Sequence, residues 1–221
     1  MDFLTVHELL LREPNLLVSL LQKSNWKRRY KDQYHEEILG NGRNLLLGDS
    51  GKIIHIIEGE LLQQITNEKT EKNVINAIWG KGDCVFHNVF QEGNYEYIAL
   101  GNVKLEVYNA GVVLQEIGQH PFFPDLLIDN IKRLEDNLFQ YSKMLTKGTD
   151  ERVTDMIRRL SKKGKDGYCI PKFVNYVLLA KCCQITPRTA KSKLKELEKS
   201  FQIIQLDGNR VLRFEAINSG L

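Results

Sequence analysis

Between residues 36 and 117 short apolar runs alternate with turn residues, and this cadence constrains the fold more than any other feature of the chain. The runs are Glu37–Leu39, Leu45–Leu47, Ile53–Ile57, Leu61–Ile65, Val74–Ile78, Cys84–Phe86, Tyr95–Leu100, Val103–Val107 and Val112–Ile117. Between them lie Gly40-Asn41-Gly42, Asp49-Ser50-Gly51, Glu58-Gly59-Glu60, Gly80-Lys81-Gly82-Asp83, Glu92-Gly93-Asn94, Gly101-Asn102 and Asn109-Ala110-Gly111. Gly and Asn reach the positive φ that tight hairpins need. Strands recurring every ~8–12 residues predict a β sandwich, jelly roll or barrel.

The segments on either side read as helical. Residues 2–35 carry Leu9, Leu10, Leu16, Leu17, Leu20 and Leu21 around a break at Pro14, then the basic patch Lys27-Arg28-Arg29, read as a solvated helix end. Pro121 and Pro124 close the β region. Beyond them Leu127, Ile131, Leu134, Leu138, Tyr141 and Leu145 step by alternating fours and threes, which places all six on one stripe. Such a stripe is the seam of a coiled coil, so the spacing predicts a long dimerisation helix. A second helix opens at Thr149-Asp150-Glu151-Arg152 and is expected to end at Gly164 and Gly167. The whole is an α+β chain in four parts: a helical segment 1–35, a β domain 36–120, a dimer helix 121–147 and a C-terminal domain 148–221. At about 150 residues per domain, 221 residues allow one to two domains.

Charge is unevenly divided. Residues 1–120 hold 12 basic and 16 acidic residues, net −4, while residues 121–221 hold 19 and 12, net +7. A basic half suggests a polyanionic partner but needs a motif behind it. No apolar run approaches the ~18 residues of a membrane span, and the N-terminus lacks the basic start of a signal peptide. Four cysteines, with Cys182 and Cys183 adjacent, make no secreted disulfide framework. A cytoplasmic protein with no membrane partner is the expectation.

The motif lies between Val174 and Phe214. Asn175 can cap a short helix through Val177, Leu178, Leu179 and Ala180. After the four-residue turn Gln184-Ile185-Thr186-Pro187, Thr186 suits an N-cap and Pro187 the first helical position. The next helix runs to about Ser200. Ala190, Leu194, Leu197 and Phe201 fall on one face, expected to be buried, while Arg188, Lys191, Ser192, Lys195 and Lys199 fall opposite. A cationic, hydroxylated face suits a helix in a DNA major groove. Ile203–Leu206, the turn Asp207-Gly208-Asn209 and Arg210–Phe214 then read as a β-hairpin with Arg210 near its tip, placed to meet phosphate. Helix, tight turn, helix and hairpin in that order make a winged helix-turn-helix. Thr186, Pro187, Arg188, Thr189, Lys191, Ser192, Lys195 and Arg210 are the candidate DNA contacts.

In the order of these parts the chain resembles the Crp/Fnr family of bacterial transcription regulators. Its most specific stretch is Val174–Glu198, where Leu179-Ala180, Thr186, Thr189-Ala190, Leu194 and Leu197-Glu198 match the family. The resemblance implies a β-roll sensor, a dimer helix and a winged helix-turn-helix that reads an inverted-repeat DNA operator as a homodimer, with RNA polymerase as a further partner. It also implies base reading from Pro187, Arg188 and Ser192. The family often has Arg at the position of Pro187 and Gly at that of Gln184, so its usual operator is not implied.

Family members that bind cyclic nucleotide carry Gly-Glu after Gly-x-Gly-Asp, and Arg-Ser or Arg-Thr ten residues later. Here Gly80-Lys81-Gly82-Asp83 is present, but Phe86-His87 and Tyr97-Ile98 stand in those places. An anionic phosphate there would go unpaired, which costs several kcal/mol. A vestigial cassette is expected, and the resemblance to divergent members of the family implies another small-molecule effector, such as glutathione, or none. Cys84, Cys169, Cys182 and Cys183 are too scattered for an iron–sulfur cluster. Cys84 could sense oxidation only with exposure and a lowered pKa. His7, His35, His55, His87 and His120 share no metal-ligand spacing, so no metal or cofactor is expected. A cupin-like β-roll enzyme would need such ligands, and His-Glu-x-x-His, Gly-x-Ser-x-Gly and P-loop motifs are all missing. A winged-helix protein-interaction module would present an apolar docking face rather than a basic one.

Overall fold

A computed structural model describes Arg28 and residues 31–67, 72–89, 94–118 and 123–214. Most of the N-terminal helical segment, with His7, lies outside the described residues, as do His120 and Pro121. The chain divides into two compact units, Met1–Phe139 and Gln140–Leu221.

In the first unit a 3-10 turn, Lys31–Gln33, leads into six strands: β1 (Tyr34–Leu39), β2 (Asn44–Leu45), β3 (Lys52–Asn67), β4 (Lys72–Trp79), β5 (Cys84–His87) and β6 (Tyr95–Asn109). They form one antiparallel sheet in the order β1-β6-β3-β4, with β2 also on β6 and β5 also on β3. Ile53, Ile54, His55 and Ile56 are all buried, so the start of β3 is covered on both faces and shows no alternation. Ile54, Ile56, Trp79, Tyr97 and Leu105 belong to one apolar cluster, and Ile53, Tyr108, Val113 and Ile117 to a second. Each such side chain contributes roughly 1.5–3 kcal/mol by leaving water. His55 is one of five buried polar residues among those described in this unit, with Gln63, Gln64, His87 and Glu106. The His55 Nδ1 lies 3.2 Å from Glu106 Oε2, and the Tyr108 hydroxyl donates to the same oxygen.

Two expected turns are bulges instead. Glu58-Gly59-Glu60 and Gly101-Asn102 do not break the chain into four short strands but lie inside β3 and β6. Gly59 and Gly101 do take positive φ, +87° and +84°, and there the register slips: Glu58 faces Lys104 while Glu60 faces Leu100. A Cβ on Gly59 would stand 2.4 Å from the Asn102 carbonyl oxygen, so the two strands cross too closely for any other residue. The last expected strand, Val112–Ile117, is also corrected. It is helix α1 (Ala110–Ile117), capped by the Asn109 side chain on the Val112 amide, with Ala110, Val113 and Ile117 buried at helical spacing.

Helix α2 (Phe123–Leu145) follows, and the division between the units falls within it. The second unit continues with α3 (Thr149–Arg159), β7 (Lys162–Lys163), β8 (Gly167–Ile170), α4 (Tyr176–Cys183), α5 (Pro187–Lys199), β9 (Ile203–Leu206) and β10 (Asn209–Arg213). Its core is built from Val153, Met156, Ile157 and Leu160 of the α3 segment, Leu179, Cys182 and Cys183 of α4, and Ala190 and Leu194 of α5. The expected hairpin is half of a four-stranded sheet, β7-β8-β10-β9. Gly164 and Gly167 do not end α3, which stops at the Leu160 cap; Gly167 instead begins β8 against Leu212 and Arg213. No helix among the described residues is long and apolar enough to cross a membrane.

Candidate nucleic-acid interface

The two helices of the motif are fixed by their caps. Asn175 Oδ1 accepts from the amides of Val177 and Leu178 at 2.9 and 3.0 Å, starting α4. Gln184 then takes the left-handed conformation at φ 51°, and the Ile185 amide returns to the Ala180 carbonyl, ending α4 in a sharp reversal. Two residues later Thr186 Oγ1 accepts from the Thr189 amide at 3.1 Å, with Pro187 at the first helical position. Arg152 of α3 donates to the Cys183 carbonyl at 2.9 Å, tying the end of α4 to its neighbour. Short caps and a buried seam therefore leave α5 with one fixed outer face.

That face is the one read from the sequence. Arg188, Lys191, Ser192, Lys195 and Lys199 are exposed, as are Thr186 and Pro187, and Thr189 is half-buried with its hydroxyl 2.8 Å from that of Thr186. Ser192 donates to Glu196 Oε1 at 3.2 Å, and the Lys191 ammonium sits 5.6 Å above the Tyr176 ring. Lys193, by contrast, turns inward to Asp150 and Glu196, each at 2.8 Å, and these bonds hold its ammonium up to about 12. Phe201 is not on the buried face. α5 stops at Lys199, Phe201 takes φ 56°, and its ring is 72% exposed, so helical spacing no longer applies to it.

Arg210 does not stand at the tip of the hairpin. The tip of the hairpin is Asp207-Gly208, both at positive φ. Arg210 stands in β10, donating to Glu198 Oε1 at 3.2 Å and reaching the Val174 carbonyl at 3.5 Å. The guanidinium is committed within its own domain. Glu196 and Tyr176 are the residues the sequence reading missed, together with the bond from Arg210 to Glu198. The spacing of Ser192 to Glu196 was a readable signal; no spacing rule links Tyr176 to Lys191.

The six-residue stripe on α2 is not uniform. Ile131 and Leu138 are each 55% exposed, and Phe139 beside them is 62% exposed. Leu134 packs on the first apolar cluster, Tyr141 is half-buried with its hydroxyl 3.4 Å from Gln184 Nε2, and Leu145 is half-buried. The Leu127 side chain lies outside the described residues.

At the cassette positions, Tyr97 and His87 are buried, while Phe86 and Ile98 are half-buried. Burial pushes the His87 pKa down and keeps the ring neutral, edge-on to Tyr97 at 5.6 Å. Tyr97 is held as a phenol by burial, its oxygen accepting from Gln63 Nε2 at 3.4 Å. None of the four carries a charge. Burial, first of all, raises the Cys84 thiol, with Asp83 adding to it, so the condition for a reactive thiolate is not met. Cys182 and Cys183 are buried in the helix packing.

No family model matches the sequence, and no curated protein is similar to it at the sequence level. Solved structures do match. The regulator CLP of Xanthomonas campestris, described as c-di-GMP responsive, shares 16% identity over 85% of this chain and 97% of its own, at a TM-score of 0.61. A cyclic nucleotide-binding domain containing protein from Listeria monocytogenes shares 16% over 89% and 95%, at 0.63. A transcriptional regulator of the CRP family from Thermus thermophilus shares 11% over 80% and 92%, also at 0.63. The fold of this chain, an antiparallel β domain followed by helices and a helix-turn-helix, is therefore that of the Crp/Fnr regulators.

Proposed function

We propose that the chain is a homodimeric, sequence-specific DNA-binding transcription regulator of the Crp/Fnr type, acting in the cytoplasm and not as an enzyme. The observation that carries this is the outer face of α5, where Arg188, Lys191, Ser192 and Lys195 stand exposed on a helix capped and packed as the second helix of a helix-turn-helix. Arg188 and Ser192, near the helix start, read base edges; Thr186, Thr189, Lys191 and Lys195 hold phosphates. Two copies would pair along the α2 stripe of Leu127, Ile131, Leu134, Leu138, Tyr141 and Leu145, and the exposure of Ile131 and Leu138 supports a partner there. Pairing sets the two reading helices about one DNA turn apart, ~34 Å.

Residues 36–120 then serve as the sensor, 121–147 as the dimer helix and 148–221 as the DNA-binding part. The uncharged cassette at Phe86, His87, Tyr97 and Ile98 favours an effector other than cyclic nucleotide, or none. RNA polymerase is a further partner under this reading.

The test is selection of random duplex DNA by the purified protein at about 150 mM salt, with the recovered sites sequenced. Enrichment of an inverted repeat with half-sites one turn apart is expected. A single enriched half-site would remove the symmetric dimer, and no enrichment at low salt would remove DNA reading.

A further inference from the structure

Ser192 stands on the outer face of α5 with a carboxylate beside it. Glu196 lies one helical turn further on, both side chains are exposed, and Ser192 Oγ donates to Glu196 Oε1 at 3.2 Å. The other oxygen of Glu196 accepts from Lys193 Nζ at 2.8 Å. The same ammonium is 2.8 Å from Asp150 Oδ1 in the first turn of α3, so the carboxylate is tied to the neighbouring helix. The Lys193 bond first, and the Ser192 bond with it, holds the Glu196 carboxyl below its usual range. At neutral pH Glu196 is therefore an anion and can only accept.

A serine hydroxyl carries one proton. With that proton on Glu196, Ser192 turns only oxygen lone pairs outward. In the major groove adenine N6 and cytosine N4 donate, whereas guanine O6 and thymine O4 accept. A serine with a free hydroxyl would suit either set, donating to one and accepting from the other. We infer that Glu196 is a positioning residue that fixes Ser192 as a hydrogen-bond acceptor, so that Ser192 selects adenine or cytosine over guanine or thymine on the strand it faces.

Binding strengthens this choice. In water the Ser192–Glu196 bond is worth little, because water replaces either partner. Against a base edge water is excluded, and releasing the proton to a keto base would strip one carboxylate oxygen of its donor. A keto base facing the unreleased hydroxyl would set two acceptors against each other.

The inference rests on reading α5 as the DNA-reading helix. Full-length native protein, Ser192→Ala and Glu196→Gln are each used to select random duplex DNA, and affinities are then measured on single-base variants of the native site. In the native protein one position in each half-site is expected to take A or C about tenfold over G or T, and Ser192→Ala to flatten that position alone. Glu196→Gln is close in shape, sits on the exposed face, and carries an amide that can donate to Ser192 and release its proton. The ratio at that position is expected to fall below about threefold or to reverse, with the other positions unchanged. Removing an anion also strengthens binding to every duplex alike, an effect that cancels in the ratio.

Three results overturn the inference while leaving DNA reading in place: a preference for G or T at the position that Ser192→Ala flattens, no position that depends on Ser192, or an unchanged ratio in Glu196→Gln. Selection of no duplex by the native protein removes the regulator reading and this inference with it.

Discussion

Arg210 on β10 donates to Glu198 on α5 at 3.2 Å, so the hairpin is bonded directly to the helix that presents the basic face. The same guanidinium reaches the Val174 carbonyl just before α4. One side chain thus touches all three pieces of the motif. Arg210→Ala is expected to cost about 1–2 kcal/mol of stability, since the ion pair is half-exposed and worth little alone while the carbonyl loses its donor. If Arg210 were instead a phosphate contact, the salt slope of DNA binding would fall by about 1 in this variant. An unchanged slope with a lowered melting temperature is the expected result.

Arg188 and Lys195 separate base reading from phosphate holding. Both are exposed on α5, Arg188 one residue into the helix and Lys195 two turns further along the same face. Arg188→Ala should cost about 1–3 kcal/mol at one base position and relax specificity there. Lys195→Ala should weaken all DNA sequences alike and lower the salt slope by about 1. Binding measured on a selected site, on its single-base variants and on unrelated duplex at several salt concentrations distinguishes the two. Equal loss on every sequence for Arg188→Ala would contradict its base-reading role.

What was legible in the sequence and what was not divides along a physical line. The caps at Asn175 and Thr186 and the faces of α5 depend on neighbours within one turn, so residue type and spacing specify them. Gly59 and Gly101 announced a positive φ correctly. Whether that φ turns the chain into a hairpin or kinks a continuous strand is decided by the strand lying across it, and sequence spacing carries no such information. Asn109 failed as a turn for the opposite reason, because a cap and a turn draw on the same residue type. Strands β7 and β8 are short, and only the pairing of β8 with β10 and of β7 with β8 makes them strands. The bond of Arg210 to Glu198, 12 residues away on a helix, is made by tertiary packing, and no local spacing announces it.

Phe201 offers a test of local strain. Its amide donates to the Glu198 carbonyl and the Gln202 amide to that of Leu197, the pair of bonds that closes a helix through a left-handed residue. That place favours Gly, and a Phe there costs about 1 kcal/mol. The exposed ring recovers little by burial. Phe201→Gly is expected to raise stability by roughly 0.5–1 kcal/mol, seen as a higher urea midpoint at unchanged slope, with DNA affinity unaltered. A loss of stability would mean that the ring makes contacts worth more than the strain.

The buried thiols of α4 tie stability to pH on the alkaline side. Burial pushes Cys182 and Cys183 each up to about 12 from an ordinary value near 9, with the Cys183 thiolate adding to the shift at Cys182. The folded chain therefore binds more protons than the unfolded chain between these values. Stability with respect to these groups is fully present below pH ~9 and falls as pH rises from there toward about 12. A urea midpoint that declines above pH ~9 in the native protein, and less steeply in Cys182→Ala/Cys183→Ala, is the expected outcome. Because the thiolate is the reactive form, both residues should also resist alkylation by iodoacetamide at pH 8 until denaturant is added. Rapid labelling of either in the folded protein would show that the α4 packing opens far more often than its burial implies.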